Sequence, residues 1–294
     1  MAEPIALVGG GAIGQLMAGL MAQQGIEVVI IGRPGCDCGV REHRLTTLEG
    51  DTFRHRVRHL TPEAMPPCRA LLITTKAYQV QEAVTPLLPR LSSQTPIVLL
   101  HNGLGPQQAL ARRFPEHNWW AGTLTDGGLR QGQDAVTHTG LGQRFAGPLL
   151  RQDALPDALA AIGFELDARI ELRLWHKLAV NALINPLTAL HRCPNGELTR
   201  AEFLPTLTRL SEELAEVAAS QGVSMEADEV LALGLKVARA TAKNRSSMLT
   251  DVDAGRQTEI EAISGFVVAL ADKAGIEAPT HRDNLDRVKA LQSR

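Results

Sequence analysis

The sequence predicts an α/β protein in which a Rossmann-type doubly wound sheet is followed by an all-helical C-terminal domain. Three observations carry that expectation. Short aliphatic runs alternate with helix-like segments over the first 165 residues. A G-x-G-x-x-G loop joins the first aliphatic run to the first helical segment. From Glu171 onward apolar residues recur at helical spacing and strand-like runs become scarce. A chain of 294 residues, 44% apolar and 21% charged, is long enough for two cores, and the boundary is expected near residue 168. The first domain then covers 1–168 and the second 169–294.

Residues 5–8, 27–31, 70–75 and 96–100 are compact aliphatic runs suited to strands buried on both faces. Between them, 13–24 and 79–88 read as helices with Gly or Pro near their boundaries. Strand, helix and strand in repetition imply right-handed crossovers and a parallel sheet. Residues 46–54 hold a Gly50-Asp51 turn between polar arms and read as a peripheral hairpin. The glycine-rich stretch 121–148 reads as further strands at the sheet edge. Residues 172–190, 205–221, 228–243 and 259–274 read as helices of the second domain, and the chain shows no internal repeat.

Thirty basic residues against 32 acidic ones give a net charge of −2. No global positive field draws the chain to nucleic acid or to an anionic membrane. Cys36, Cys38, Cys68 and Cys193 are too few for a disulfide scaffold. Cys36-x-Cys38 is too short and isolated for a zinc site, so no metal is expected. The N-terminus lacks a secretory signature and no window reads as a transmembrane helix, so a cytoplasmic location is expected.

In Gly9-Gly10-Gly11-Ala12-Ile13-Gly14, Gly9 permits the tight turn, Gly11 lets backbone approach a pyrophosphate, and Gly14 allows close helix–strand packing. The following helix N-terminus offers free N–H groups to phosphate. A dinucleotide is therefore expected. An NAD site usually carries Asp or Glu at the end of the second strand; here the strand runs into Gly32-Arg33-Pro34-Gly35. Arg33 suits a 2′-phosphate, which favours NADPH. Residues 1–168 contain thirteen arginines and one lysine, Lys76, which stands just past a buried strand where ligands bind in such sheets. Asn102 follows the next strand in the same way and would orient the nicotinamide carboxamide or a substrate oxygen.

In the second domain, Lys177, Asn181 and Asn185 stand at i, i+4 and i+8, while every residue from 178 to 184 apart from Asn181 is apolar. A helix apolar on nearly all sides is buried, so this stripe should face something polar and enclosed. Asn195-Gly196-Glu197 in a loop, Ser246-Ser247 between helices and Glu259 at a helix start are further candidates. Taken singly, each also reads as a turn residue, a cap or a helix-start acid.

Together these motifs resemble the ketopantoate reductase (2-dehydropantoate 2-reductase) family. The stretches GGGAIGQL, TKAYQV, HNG, WHKLAVNALINPLTAL, CPNGEL, SSMLTD and TEIEAISG carry the resemblance through most of the chain. It implies a Rossmann domain and a helical domain with the active site in the cleft between them, closing on a small-molecule substrate. The implied reaction is NADPH-dependent reduction of the C2 ketone of 2-dehydropantoate to (R)-pantoate in pantothenate biosynthesis. By the same resemblance Lys177 is the general acid and Glu259 binds substrate near the reacting oxygen. Asn102, Asn181, Asn185, Asn195 and Ser247 hold substrate. Gly9, Gly11, Gly14, Arg33 and Lys76 serve the cofactor, with Asn102 and Glu259 reaching it as well. One departure stands out: the family's threonine run is Thr123-Leu124-Thr125 here, so any role of the middle position is lost. A reductase of another 2-keto acid and a non-catalytic NADPH-binding regulator are the competing readings, and a homodimer is left open.

Overall fold

The computed structural model describes residues 3–151 and 153–292. The chain divides into two compact units, one of Met1–His101 with Pro106–Ile170 and one of Asn102–Gly105 with Glu171–Arg294.

The first unit is built on eleven strands: β1 (Ile5–Val8), β2 (Val28–Ile31), β3 (Gly39–Thr46), β4 (Thr52–Leu60), β5 (Ala70–Ile73), β6 (Pro96–Leu99), β7 (Asn118–Leu124), β8 (Gly127–Arg130), β9 (Ala135–Gly140), β10 (Arg144–Pro148) and β11 (Glu165–Leu166). They form one sheet in the order β11-β10-β7-β6-β5-β1-β2-β4-β3-β9-β8. Its middle six, β4-β2-β1-β5-β6-β7, are mutually parallel and have the doubly wound dinucleotide-fold order, which reverses between β1 and β5. The aliphatic runs are buried on both faces because each face has its own cover. Ile5, Leu7, Ile30, Leu72 and Val98 share a core with Met17 and Met21 of α1 (Ala12–Gln23). Ala6, Val29, Leu71, Ile73 and Ile97 pack with Val80 and Val84 of α2 (Val80–Val84) and Leu110 of α3 (Pro106–Arg113). A short α4 (Asp157–Ala160) adds Leu159 to the first face.

Three expectations change. The helix expected over 79–88 shortens to α2, because Pro86 and Pro89 divert the chain beyond it into a 3-10 turn, Thr85–Arg90. The hairpin around Gly50-Asp51 is real but not peripheral, since β4 pairs in parallel with β2 as an interior strand. The stretch 121–148 supplies interior β7 and then strands near both edges, β10 on one side and β8 and β9 on the other. An ion pair anchors this region. Arg144 donates from Nε and Nη2 to the two oxygens of Asp126, each at 2.9 Å, and from Nη1 to the Ile162 carbonyl at 3.0 Å. Burial would raise the Asp126 pKa, but the hydrogen bonds and charge of Arg144 prevail and lower it.

The second unit holds the 22-residue α5 (Ile170–His191), α6 (Leu204–Ser220), α7 (Ala227–Ala240), α8 (Ser247–Asp253), α9 (Ser264–Ala274) and α10 (Pro279–Gln292). Gly234 on α7 lets that helix approach α5: a Cβ there would lie 2.7 Å from Leu183 Cδ2. The start of α10 is capped from α6, where Glu213 accepts the N–H groups of Thr280 and His281 at 2.9 and 3.0 Å. The region around Ser247, expected between helices, is itself the first turn of α8. No helix among the described residues is long and apolar enough to cross a membrane.

Candidate functional site

The polar stripe lies along α5. Each i+4 step advances about 40° around a helix, so Asn185 is turned about 80° from Lys177. The structure shows that drift as deepening burial: Lys177 and Asn181 are half-buried, Asn185 only 6% exposed. Burial lowers the Lys177 pKa, and the negative charge of Glu259 opposes that shift without cancelling it.

Glu259 is held from two directions. The strip Asn102–Gly105 packs onto the 3-10 turn Ile260–Ala262 just beyond Glu259. Leu104 N–H donates to the Ala262 carbonyl at 3.0 Å, and a Cβ on Gly103 would fall 2.2 Å from that oxygen. Gly103 has φ +75, so glycine is needed here for both backbone conformation and clearance. Asn102 Nδ2 then donates to Glu259 Oε2 at 3.0 Å. From the other side, Gln292 at the end of α10 grips the residue before Glu259. Its Oε1 accepts from Thr258 N–H at 3.1 Å and its Nε2 donates to Thr258 Oγ1 at 2.9 Å. Thr258 and Glu259 are both buried, 2% and 5% exposed. Neither Thr258 nor Gln292 was a candidate in the sequence, and no short motif links residues so far apart.

Lys177, Glu259 and Asn102 are thus brought together. Asn195 and Ser247 have other surroundings. Asn195 Nδ2 donates to Thr241 Oγ1 at 2.9 Å and its backbone N–H to the Asn244 carbonyl, pinning its loop to the end of α7. Ser247 is exposed; its neighbour Ser246 is the buried one, accepting from Leu249 N–H as the α8 cap and from Thr188 Oγ1 of α5 at 2.7 Å. A cavity of about 860 Å³ opens in this unit beside Arg209, Glu213 and Asn284, and none of the predicted site residues lines it.

In the first unit the glycine loop has the properties a phosphate cradle requires. Gly9 adopts φ +112, and a Cβ on Gly14 would lie 1.9 Å from the Gly9 carbonyl. Gly11 caps α1 without a side chain, and a Cβ there would meet nothing within 4 Å. The first turn of α1 carries no acid, so its N–H groups and positive dipole end are available to an anion. Arg33 is exposed in the turn after β2, where the Cys36 N–H returns to its carbonyl at 3.0 Å. Lys76 is half-buried and begins the 3-10 turn Ala77–Gln79 after β5. These residues fit a dinucleotide cofactor.

Comparison with known proteins adds a lineage to this geometry. The family profile described as "Ketopantoate reductase PanE/ApbA" matches residues 5–150, and "Ketopantoate reductase PanE/ApbA C terminal" matches 169–292. The 2-dehydropantoate 2-reductase of Vibrio cholerae is 34% identical over 296 residues, covering 98% of this chain and 97% of its own. The crystal structure of the probable 2-dehydropantoate 2-reductase of Bacillus subtilis superposes with a TM-score of 0.80 at 30% identity, covering 98% and 99%. The ternary complex of D-mandelate dehydrogenase with NADH and anilino(oxo)acetate shares the fold, with a TM-score of 0.88 at 20% identity and 99% and 98% coverage.

Proposed function

The chain belongs to the ketopantoate reductase family and is an oxidoreductase, and from that premise we propose that it reduces the C2 ketone of 2-dehydropantoate to (R)-pantoate with NADPH. On this reading it acts in pantothenate biosynthesis, in the cytoplasm. The observation that carries the reading is the juxtaposition of Lys177, Glu259 and Asn102, a cation with a lowered pKa beside a carboxylate held by an amide.

When bound, the nicotinamide supplies hydride to the ketone carbon. Negative charge then develops on the ketone oxygen, and Lys177 donates a hydrogen bond and afterwards the proton. Its lowered pKa suits it to this, since a lysine of ordinary basicity is a reluctant acid. Glu259 keeps the lysine from losing its proton prematurely and offers an acceptor to a substrate hydroxyl. Asn102 fixes the orientation of the Glu259 carboxylate. Asn181 and Asn185 supply amides that both donate and accept, suited to a small hydroxy-keto acid. Asn195 and Ser247 join the substrate set by the family resemblance alone, as their own surroundings lie elsewhere. Gly9, Gly11 and Gly14 with the α1 N-terminus receive the pyrophosphate, Arg33 the 2′-phosphate, and Lys76 the cofactor's remaining polar groups.

The test is loss of nicotinamide absorbance with purified protein, ketopantoate and either NADPH or NADH. Turnover with NADPH is expected, and its absence refutes the reading. A higher kcat/KM for 2-oxoisovalerate, which lacks the 4-hydroxyl, would move the assignment to another 2-keto acid. Tight NADPH binding without reduction of any keto acid would point to a regulator.

A further inference from the structure

The β3–β4 ribbon of the first unit holds a second cluster of chemistry-bearing side chains, unrelated to the reductase residues. His43 on β3 and His59 on β4 turn their Nε2 atoms toward each other, 2.8 Å apart. Asp134, in the turn between β8 and β9, brings Oδ1 to 3.5 Å from His43 Nε2. The three donor atoms all lie within 4.8 Å of one another. We propose that His43, His59 and Asp134 form a binding site for a divalent transition metal of the zinc class, with water completing the coordination.

Geometry is the first argument. Bonds of about 2.0–2.1 Å to a tetrahedral ion set neighbouring donor atoms about 3.3 Å apart. The 3.5 Å edge already matches; the 2.8 Å edge must open by about 0.5 Å and the His59–Asp134 edge, within 4.8 Å, must close, so the half-buried His59 ring and the Asp134 side chain both turn to receive an ion. Preorganisation is the second. The Asp134 carbonyl accepts the Arg44 N–H at 2.9 Å, and Gln15 Nε2 bonds the Gln133 carbonyl at 2.8 Å, so the turn is tied to both β3 and α1. His43 and His59 stack with ring centroids 5.0 Å apart.

Donor chemistry is the third argument. Two imidazoles and one carboxylate suit zinc, nickel or cobalt better than magnesium or calcium. In a metal-free His–His contact only one of the facing nitrogens carries the shared proton, whereas a metal uses the lone pairs of both. His43 is buried, while His59 and Asp134 keep partial exposure and give an ion a path from solvent. Arg41 Nη1 stands 4.0 Å from Asp134 Oδ1 and opposes the added charge, but its Nη2 is engaged by the carboxylate and carbonyl of Asp37. A bound ion would join β3, β4 and the β8–β9 turn. Its ligands come from three separated elements and leave no short motif, which is why none was expected from the sequence.

Chelator-stripped full-length protein should be titrated with Zn²⁺ against a chromophoric competitor, and with Co²⁺ read by its visible ligand-field bands. The expected result is one saturable equivalent per chain, retained in Cys36→Ser/Cys38→Ser and weakened more than about tenfold in both His59→Ala and Asp134→Asn. Asp134→Asn keeps the side-chain shape, so it decides the matter should His59→Ala disturb the ribbon. Absence of a saturable equivalent, equal affinity in both ligand variants, loss in the cysteine variant or a thiolate-to-cobalt charge-transfer band would each overturn the proposal.

Discussion

Replacing Lys177 with methionine should move activity and stability in opposite directions. The side chains have similar length, so the substitution removes a charge and leaves little void. General-acid catalysis is worth about 10²–10⁴-fold, and a lost donor to the developing oxyanion about 10²–10³-fold. Lys177 supplies both in one group, and the two losses are not additive. A fall in kcat of about 10³–10⁴-fold is expected, or ~4–5.5 kcal/mol in the barrier. Desolvation outweighs the attraction of Glu259 in setting the lysine's pKa, so the fold disfavours this ammonium on balance. Removing it relieves that desolvation, and Glu259 keeps its hydrogen bond from Asn102, so stability should be unchanged or raised. The pH dependence has a definite sign. The parent sheds its penalty as Lys177 deprotonates in the folded state, so the methionine variant's advantage is largest below that lowered pKa and has vanished above the ordinary 10.5. Parent kcat/KM should fall as pH rises through the same lowered pKa. Denaturant melts and steady-state kinetics across pH measure both effects, with NADPH affinity as the control. Unchanged kcat, or a variant less stable by several kcal/mol, would refute the reasoning.

Arg33→Asp should shift the kcat/KM ratio toward NADH, because a carboxylate repels a 2′-phosphate and suits a 2′-hydroxyl; an unaltered ratio would remove Arg33 from cofactor choice. Arg144→Met leaves the Asp126 carboxylate, whose side chain has no solvent exposure, with only the Gly142 backbone and His138 beside it and should cost about 3–5 kcal/mol in denaturant melts near neutrality. Because Asp126 has a lowered pKa in the fold, the parent's advantage is full above 3.8 and lost as pH falls through that lowered pKa; a gap that persists in strong acid would contradict this. Gln292→Ala leaves the buried Thr258 N–H and hydroxyl without their partner and should cost about 1–3 kcal/mol. It should also lower kcat/KM for the keto acid while leaving NADPH affinity intact, and unaltered kinetics would show that Glu259 does not depend on this clamp.

The dinucleotide half was readable where residue pattern and environment coincide. Aliphatic runs such as 70–73 are buried on both faces, and Gly9 and Gly14 sit where a Cβ is forbidden. The strand β4 was harder to place. Its Arg54, Arg56 and Arg58 point outward between His55 and Val57, so an interior strand has the alternation of a half-solvated one. The helix that usually crosses over to such a strand is replaced by β3, which removes the topological cue. In the helical unit α10 was missed because its buried face includes His281 and Asn284, with His281 bonded to the Leu210 carbonyl; polar residues at core positions hide a 3.6-residue period. The α5 stripe was legible as a polar anomaly on an apolar helix. The Asn102–Glu259 bond was not, since it spans 157 residues and spacing says nothing about such contacts.

The strip Asn102–Gly105 makes the helical unit discontinuous in the gene: four of its residues are encoded in the midst of the other unit. On the ribosome those four emerge long before the helices they belong to, so they must wait for Ala262 and Glu259 to arrive. A fragment cut cleanly at residue 171 would lack the donor to the Ala262 carbonyl and the amide that orients Glu259. Modular exchange between relatives that respects only the linear boundary would pair a foreign strip with a native turn, and the mismatch would fall on Glu259. The inheritable module is therefore the helices together with a tetrapeptide borrowed from the loop after β6.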